Sequence, residues 1–409
     1  MVGGAPLVSS FFNLFLLIKV SMLLLWGKSR GQCERGIVDC RTKRGMNSFD
    51  ESKVRRSTDC KFANKPHAEA EVDLNDIPYD RWEQVEDART TADLGRIEYY
   101  LRSDMLGVPE TAVRNPSLSA DDLAFIIDHY PARVRVGAAY NPNLSDESRK
   151  ALMDDPNTSL AVAISPLTPP EDLAGLATHR HSVVRAGVAF NESTPVEVLE
   201  TLALDESDEV RSSAVANSDT PDISLSQNVG SEYLAISKGI AGNPNASPQT
   251  LTSLWGQARS WRDADGALTD EAFSLRIDDD LENDTRSVVR QIASNKNTPT
   301  EVLSEIAKTR FPPVGALAGN PNTPTEALSV LVRDHGYDLD VAKMATSPNV
   351  TPGILDALSR SKIEQVRVAA AKNPSTPVNR LRALGRSTDM GVARAAGRTL
   401  RELKGGNKG

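Results

Sequence analysis

Apolar positions along this chain come in short runs, broken by a polar residue at a fixed interval. In residues 183–205, VVRAGVAFNESTPVEVLETLALD, Val184, Val188 and Ala189 share one side of a short helix, Asn191 halts it, and Leu199 and Leu202 open a second apolar face. The break recurs at Asn115, Asn141, Ser165, Asn191, Asn217, Asn243, Asn295, Asn320, Ser347 and Asn373, with gaps of 26, 24, 26, 26, 26, 52, 25, 27 and 26. A gap of 52 equals two periods and predicts a worn copy between Gly256 and Leu281. A constant period of this size marks a solenoid, whose copies bury their apolar faces only against one another.

Backbone chemistry fixes where each helix ends. Pro142, Pro244, Pro321 and Pro374 follow the break residue and bias it out of the helical region. Thr194-Pro195-Val196-Glu197 predicts the start of the next helix, with threonine as N-cap, proline at the first position and glutamate closing a capping box. Thr298-Pro299-Thr300-Glu301 and Thr323-Pro324-Thr325-Glu326 repeat that sequence. The Leu199/Leu202 pair returns as Leu173/Leu176, Leu251/Leu254, Leu303/Ile306, Leu328/Leu331, Leu355/Leu358 and Leu381/Leu384. Each copy is thus two short helices around an Asn-Pro corner, too short to persist alone, and stacking is predicted to give a superhelix with one concave and one convex wall.

The run V-R-x-x-V-A-x-N-x-x-T-P-x-E-x-L-x-x-L-A, whole in residues 184–203 and largely repeated in 366–384, resembles the leucine-rich repeat variant family over about residues 110–400. The resemblance implies an all-α fold, a right-handed superhelical solenoid of about eleven short helix-pair repeats in which α-helix alternates with 3₁₀-helix. That family is also associated with a cysteine-held iron-sulfur cluster near the amino terminus. Cys33, Cys40 and Cys60 lack the tight spacing such a site needs, so no cofactor and no metal is expected. HEAT-like arrays are the nearest other architecture, but their units are longer.

Composition narrows the function. Only 5% of the residues are aromatic, so small aliphatic side chains must do the packing. The formal charge is -8, yet residues 1–60 hold ten Lys/Arg against five Asp/Glu, which leaves the repeats acidic. An acidic array disfavours general nucleic-acid binding, although a local basic stripe is compatible with it. All three cysteines precede the repeats, as expected of a chain that works in a reducing cytoplasm.

Residues 7–26 form an apolar segment about long enough to cross a bilayer, followed by Lys28, Arg30, Arg35, Arg41, Lys43 and Arg44. Three readings stand: a membrane anchor that leaves the repeats in the cytoplasm, a secretory signal, or an upstream extension of a protein that begins at Met46. The domain reading is an apolar segment with disordered linker over 1–75, a helical cap over 76–110, the solenoid over 111–403 and a disordered tail over 404–409.

Three sets of residues are candidates for contact with a partner. Arg135, Arg185, Arg211, Arg290 and Arg367 recur ahead of their corners and would form a basic stripe if they project freely, or ion pairs with nearby acids if they do not. Trp255 and Trp261 lie in the irregular stretch and are the first place to seek a binding hot spot. Asn141, Asn191, Asn217, Asn243, Asn295, Asn320 and Asn373 would stack as a ladder that bonds backbone groups at the corners. His179-Arg180-His181 is the one local histidine cluster and reads as a loop. No HExxH, GxSxG, GxxxxGK[ST] or dinucleotide fingerprint is present. The expected function is a non-catalytic scaffold that binds a protein or peptide on its concave wall. The alternatives are nucleic-acid binding through the arginines and a cryptic carboxylate-based hydrolase.

Overall fold

The computed structural model describes residues 80–264, 285–309, 312–336 and 339–405, and every regular element among them is a helix. Residues 1–79, with the apolar segment and the three cysteines, lie outside the described residues. Among those described, no helix is long and apolar enough to cross a membrane.

Two helices, Arg81–Thr90 and Leu94–Leu101, open the array, and Asp80 and Asp93 cap them by accepting amide hydrogens of the first turn. The first helices of the copies follow at Val108–Ala112, Ala132–Ala138, Ser159–Ile164, Ser182–Phe190, Asp208–Ala216, Leu234–Gly242, Thr285–Ser294, Val314–Gly319, Leu339–Thr346, Glu364–Lys372 and Met390–Gly405. Between them lie the second helices, Ala120–His129, Asp146–Asp154, Pro170–Leu176, Val196–Leu202, Asp222–Gln227, Pro248–Ala264, Thr300–Ala307, Thr325–Asp334, Pro352–Leu358 and Val378–Leu384. From Ser159–Ile164 onward, each first helix packs on the first helix of the next copy, which makes a continuous layer. In nearly all copies both helices are α. Among the described residues, 3₁₀ geometry is confined to Leu339–Thr346.

The core is made of small and branched side chains, as the composition requires. All seven leucine or isoleucine pairs picked out by the repeat are buried. Two copies break the pattern and compensate. Arg149 stands where a leucine would be and reaches Asp172 of the next copy at 2.6 Å. Asn228 replaces a leucine and donates to the carbonyls of Ala203 and Ser224 at 2.8 and 3.0 Å. Close approach between first helices needs small residues. At Gly137 an added Cβ would lie 2.6 Å from the Glu110 carbonyl oxygen.

Two expectations are corrected. The threonines do not cap the second helices. Pro195, Pro299 and Pro324 occupy the N-cap position, while Thr194, Thr298 and Thr323 donate backwards to the carbonyls of Val188, Ile292 and Leu317 at 2.5, 2.5 and 2.6 Å. They add a second donor to carbonyls in the last turn of the preceding helix, which also accept the amide hydrogens of Asn191, Asn295 and Asn320.

The second correction concerns the worn copy. Asn295 Nδ2 donates directly to the carbonyls of Ala241 and Asn243 at 2.9 and 2.8 Å, so no copy intervenes between those corners. The second helix of that copy is extended to Pro248–Ala264, and residues 265–284 lie outside the described residues. The count of eleven first helices is made up at the carboxyl end. There Thr399, 26 residues beyond Asn373, donates to the Ala371 carbonyl at 2.8 Å.

Candidate interaction surfaces

The asparagine ladder is internal. Asn141, Asn191, Asn217, Asn243, Asn295 and Asn320 each donate from Nδ2 to two main-chain oxygens of the preceding corner, at 2.7 to 3.0 Å. Their Oδ1 atoms accept the amide hydrogen two residues ahead, as in Asn191 with Ser193 at 2.9 Å. Asn373 keeps one such donation, to Ala345 at 2.6 Å. These side chains therefore bond the copies together and line no groove.

A second ladder, which the sequence reading missed, lies two residues further along. Asn143, Asn245, Asn297, Asn322 and Asn349 donate to main-chain oxygens of the preceding corner, as Asn143 does to Pro116 and Leu118 at 2.9 and 2.8 Å. Its sequence signal is an asparagine two residues after the corner residue, as Asn-Pro-Asn in three copies, Asn295-Lys296-Asn297 in a fourth and Ser347-Pro348-Asn349 in a fifth.

The arginine series does not project as a free stripe. Arg135 pairs with Asp155 at 2.8 Å. Arg185 is nearly buried and holds both carboxylate oxygens of Asp205, at 2.7 and 2.8 Å, while its Nη1 donates to the His179 carbonyl. Arg211 contacts Asp208 and donates to the Asp205 carbonyl, and Arg367 pairs with Asp389 at 2.5 Å and donates to the Ser361 carbonyl. Donation to the carbonyl six residues back recurs in Arg185, Arg211 and Arg367, so these guanidiniums fasten the loop between copies. Arg290 alone of the five is exposed with no partner among the described residues.

Electrostatics in these pairs is local. Burial pushes the Asp205 carboxyl up, but hydrogen bonds from Arg185 and the Ser207 amide outweigh it and hold the group below the ordinary range. The bond to Asp205 raises Arg185.

Trp255 is also corrected. It is 5% exposed, packs in the core and donates from Nε1 to Glu305 at 2.8 Å, so its ring offers no surface to a partner. The side chain of Trp261 lies outside the described residues. The rings of His179 and His181 stand 5.3 Å apart, and Arg180 Nε donates to His181 at 3.1 Å. Burial is the main cause that holds His179 below the usual imidazole value. No group of three or more His, Cys, Asp or Glu poised around a metal occurs among the described residues.

Two outer edges differ sharply in chemistry. On the first, where the corner meets the second helix, Glu147, Glu171 and Glu197 take one repeat position in three consecutive copies, all exposed and without ion pairs. Leu167, Val196 and Ile223 stand among them at 48%, 42% and 59% exposure. On the other edge, just after the second helix, Lys308, Arg333, Arg360 and Arg386 share one position in four consecutive copies and are all exposed.

Fold and surfaces together define the class of this protein, an all-helical repeat solenoid. No family profile and no curated protein matches the chain. Among solved structures it is similar to a leucine-rich repeat variant with a novel repetitive structural motif, at 19% identity over 73% of this chain and 88% of that one, with a TM-score of 0.30. It is also similar to an engineered protein, at 20% identity over 77% of this chain and 97% of that one, with a TM-score of 0.15.

Proposed function

We propose that the protein is a non-catalytic scaffold which binds another polypeptide along the edge of Glu147, Glu171, Glu197, Leu167, Val196 and Ile223. The single observation behind this reading is that Glu147, Glu171 and Glu197, at one repeat position in three consecutive copies, are exposed and have no ion pair among the described residues, with Leu167, Val196 and Ile223 exposed in the same stretch of copies. Isolated surface aliphatics need no explanation, but a row of carboxylates at fixed repeat position, with exposed aliphatic side chains in the same copies, suits an extended partner carrying aliphatic and basic residues. The arginine series is set aside as the contact because Arg135, Arg185, Arg211 and Arg367 are held by the fold. Work in a reducing cytoplasm belongs to the same reading, which rests there on an array that contains no cysteine.

Affinity purification with mass spectrometry tests it. The parent chain is compared with a variant carrying Glu171→Lys, Glu197→Lys, Val196→Lys and Ile223→Lys. Partners specific to the parent and lost from the variant support the scaffold reading. An identical set of partners from both would remove this edge from consideration.

A further inference from the structure

The carboxyl-terminal part of the array has an electrostatic character opposite to that of the whole. Residues 359–409 hold twelve Lys/Arg against three Asp/Glu in a chain of net charge -8. Two of these residues, Arg360 and Arg386, continue a row that begins with Lys308 and Arg333. Lys308, Arg333, Arg360 and Arg386 each lie at or just beyond the end of a second helix, separated by 25, 27 and 26 residues. Ladder bonds from Asn320 and Asn349 and the Arg380–Asp356 pair hold these copies in register. The last helix, Met390–Gly405, adds Arg394, Arg398, Arg401 and Lys404, all exposed.

Helix chemistry does not demand this row. Basic side chains do favour helix C-termini through the macrodipole. At the same repeat position, however, earlier copies carry Asp128, Asp154, Thr178 and Leu204, and their helices form nonetheless. Nor does pairing neutralise it. Arg333 and Arg360 pair with the exposed or half-exposed carboxylates of Asp334 and Asp356, one and four residues away, and solvent screens such surface pairs. Lys308 and Arg386 make no ion pair among the described residues.

We propose that this row binds the phosphate backbone of double-stranded nucleic acid without reading sequence. Stacked helices lie about 8 to 10 Å apart, so four copies extend over about 30 Å, close to the roughly 34 Å of one duplex turn. No aromatic residue shares the row's repeat position, which disfavours a single strand held by base stacking. An anionic membrane suits the surface less well, since the last helix already buries Val392, Ala396 and Thr399 against the array, and its exposed large apolar residues, Met390 and Leu403, stand near opposite ends rather than on one continuous face. The row stands apart from the acidic edge of the scaffold reading, and either proposal can fail alone.

The test uses the full chain and fluorescence anisotropy with a labelled 20-base-pair duplex DNA of arbitrary sequence. Binding should weaken with salt, and Lys308→Glu/Arg333→Glu/Arg360→Glu/Arg386→Glu should lower affinity at least 30-fold. The slope of log affinity against log salt should shrink by about 3 to 4, from four lost phosphate contacts at about 0.9 each. The amino-terminal 60 residues are the same in every arm, so their basic charge cannot produce the difference. Absence of binding at 50 mM salt, equal binding by the quadruple variant, or retention on phosphatidylserine vesicles with none on duplex would each overturn the proposal. A circular-dichroism melt of the variant matching the parent confirms that the comparison is between folded proteins.

Discussion

Asn295 donates from Nδ2 to the main-chain oxygen of Asn243 at 2.8 Å, across 52 residues of chain, the same bond that Asn217 makes to Asn191 at 3.0 Å across 26. The array therefore continues past the extra segment as though it were absent. Deleting residues 260–285, which joins Arg259 to Arg286, returns the spacing between these corners to 26. The shortened protein is expected to keep its helical circular dichroism and to melt within about 2 °C of the parent, the shift that about 1 kcal/mol gives at this size. Loss of cooperative melting would mean that the segment supports the stack.

The ladder has one weak rung, at Ser347. Its Oγ is buried with no hydrogen-bond partner, whereas asparagine at the equivalent positions binds two carbonyls of the preceding corner. Ser347→Asn places an amide where it can donate to the main-chain oxygens of Ala318 and Asn320, and it should stabilise the fold by about 1 kcal/mol. Asn217→Ala does the reverse. It abandons donations to Ala189 and Asn191 at 2.9 and 3.0 Å, and it should cost about 3 kcal/mol in urea unfolding. A Ser347→Asn variant less stable than the parent would show that the corner there cannot accept the amide.

Asp205 sets a pH dependence. Its carboxyl titrates below the ordinary range because of Arg185 and the Ser207 amide, and below its unfolded value of about 3.9. The stability it contributes is thus present above pH 4 and disappears as pH falls through the lower, folded value. Asp205→Asn leaves the Arg185 guanidinium nearly buried without its carboxylate, which should cost about 3 kcal/mol at pH 7. The gap in melting temperature between parent and variant should then narrow steadily from pH 5 to pH 2. A constant gap over that range would separate the stability from the ion pair.

Sequence periodicity made most of the fold legible, because proline, asparagine and leucine each act within a few residues of their own position. Asn141 and Leu199 could be placed on an inner face from spacing alone, and both are buried. What escaped depended on contacts outside the local sequence motif. Thr194 has a carbonyl six residues behind it that outcompetes the capping role its local sequence suggests. Arg185 was compatible with a free stripe or an ion pair, and Asp205, twenty residues on, decides for the pair. Trp255 stood out by rarity, but burial of a large ring beside Glu305 made it part of the core. The basic row from Lys308 to Arg386 was readable in principle, by following one repeat position through the copies rather than summing charge over the array.

Gly137 and Gly256 separate packing from backbone entropy. Alanine at Gly137 would put Cβ 2.6 Å from the Glu110 carbonyl oxygen and against Val113 Cγ1. The obstacle includes main chain, so the helix Ala132–Ala138 has to move off Val108–Ala112, at a cost of about 1 to 3 kcal/mol. Gly256 lies in the helix Pro248–Ala264, where an added Cβ meets nothing within 4 Å. Alanine there improves helix propensity and should stabilise by up to about 1 kcal/mol. Urea midpoints should therefore move in opposite directions with unchanged slopes. If both substitutions stabilise, the first helices are not in the close contact that the stack requires, because only a gap between them would leave room for the methyl group.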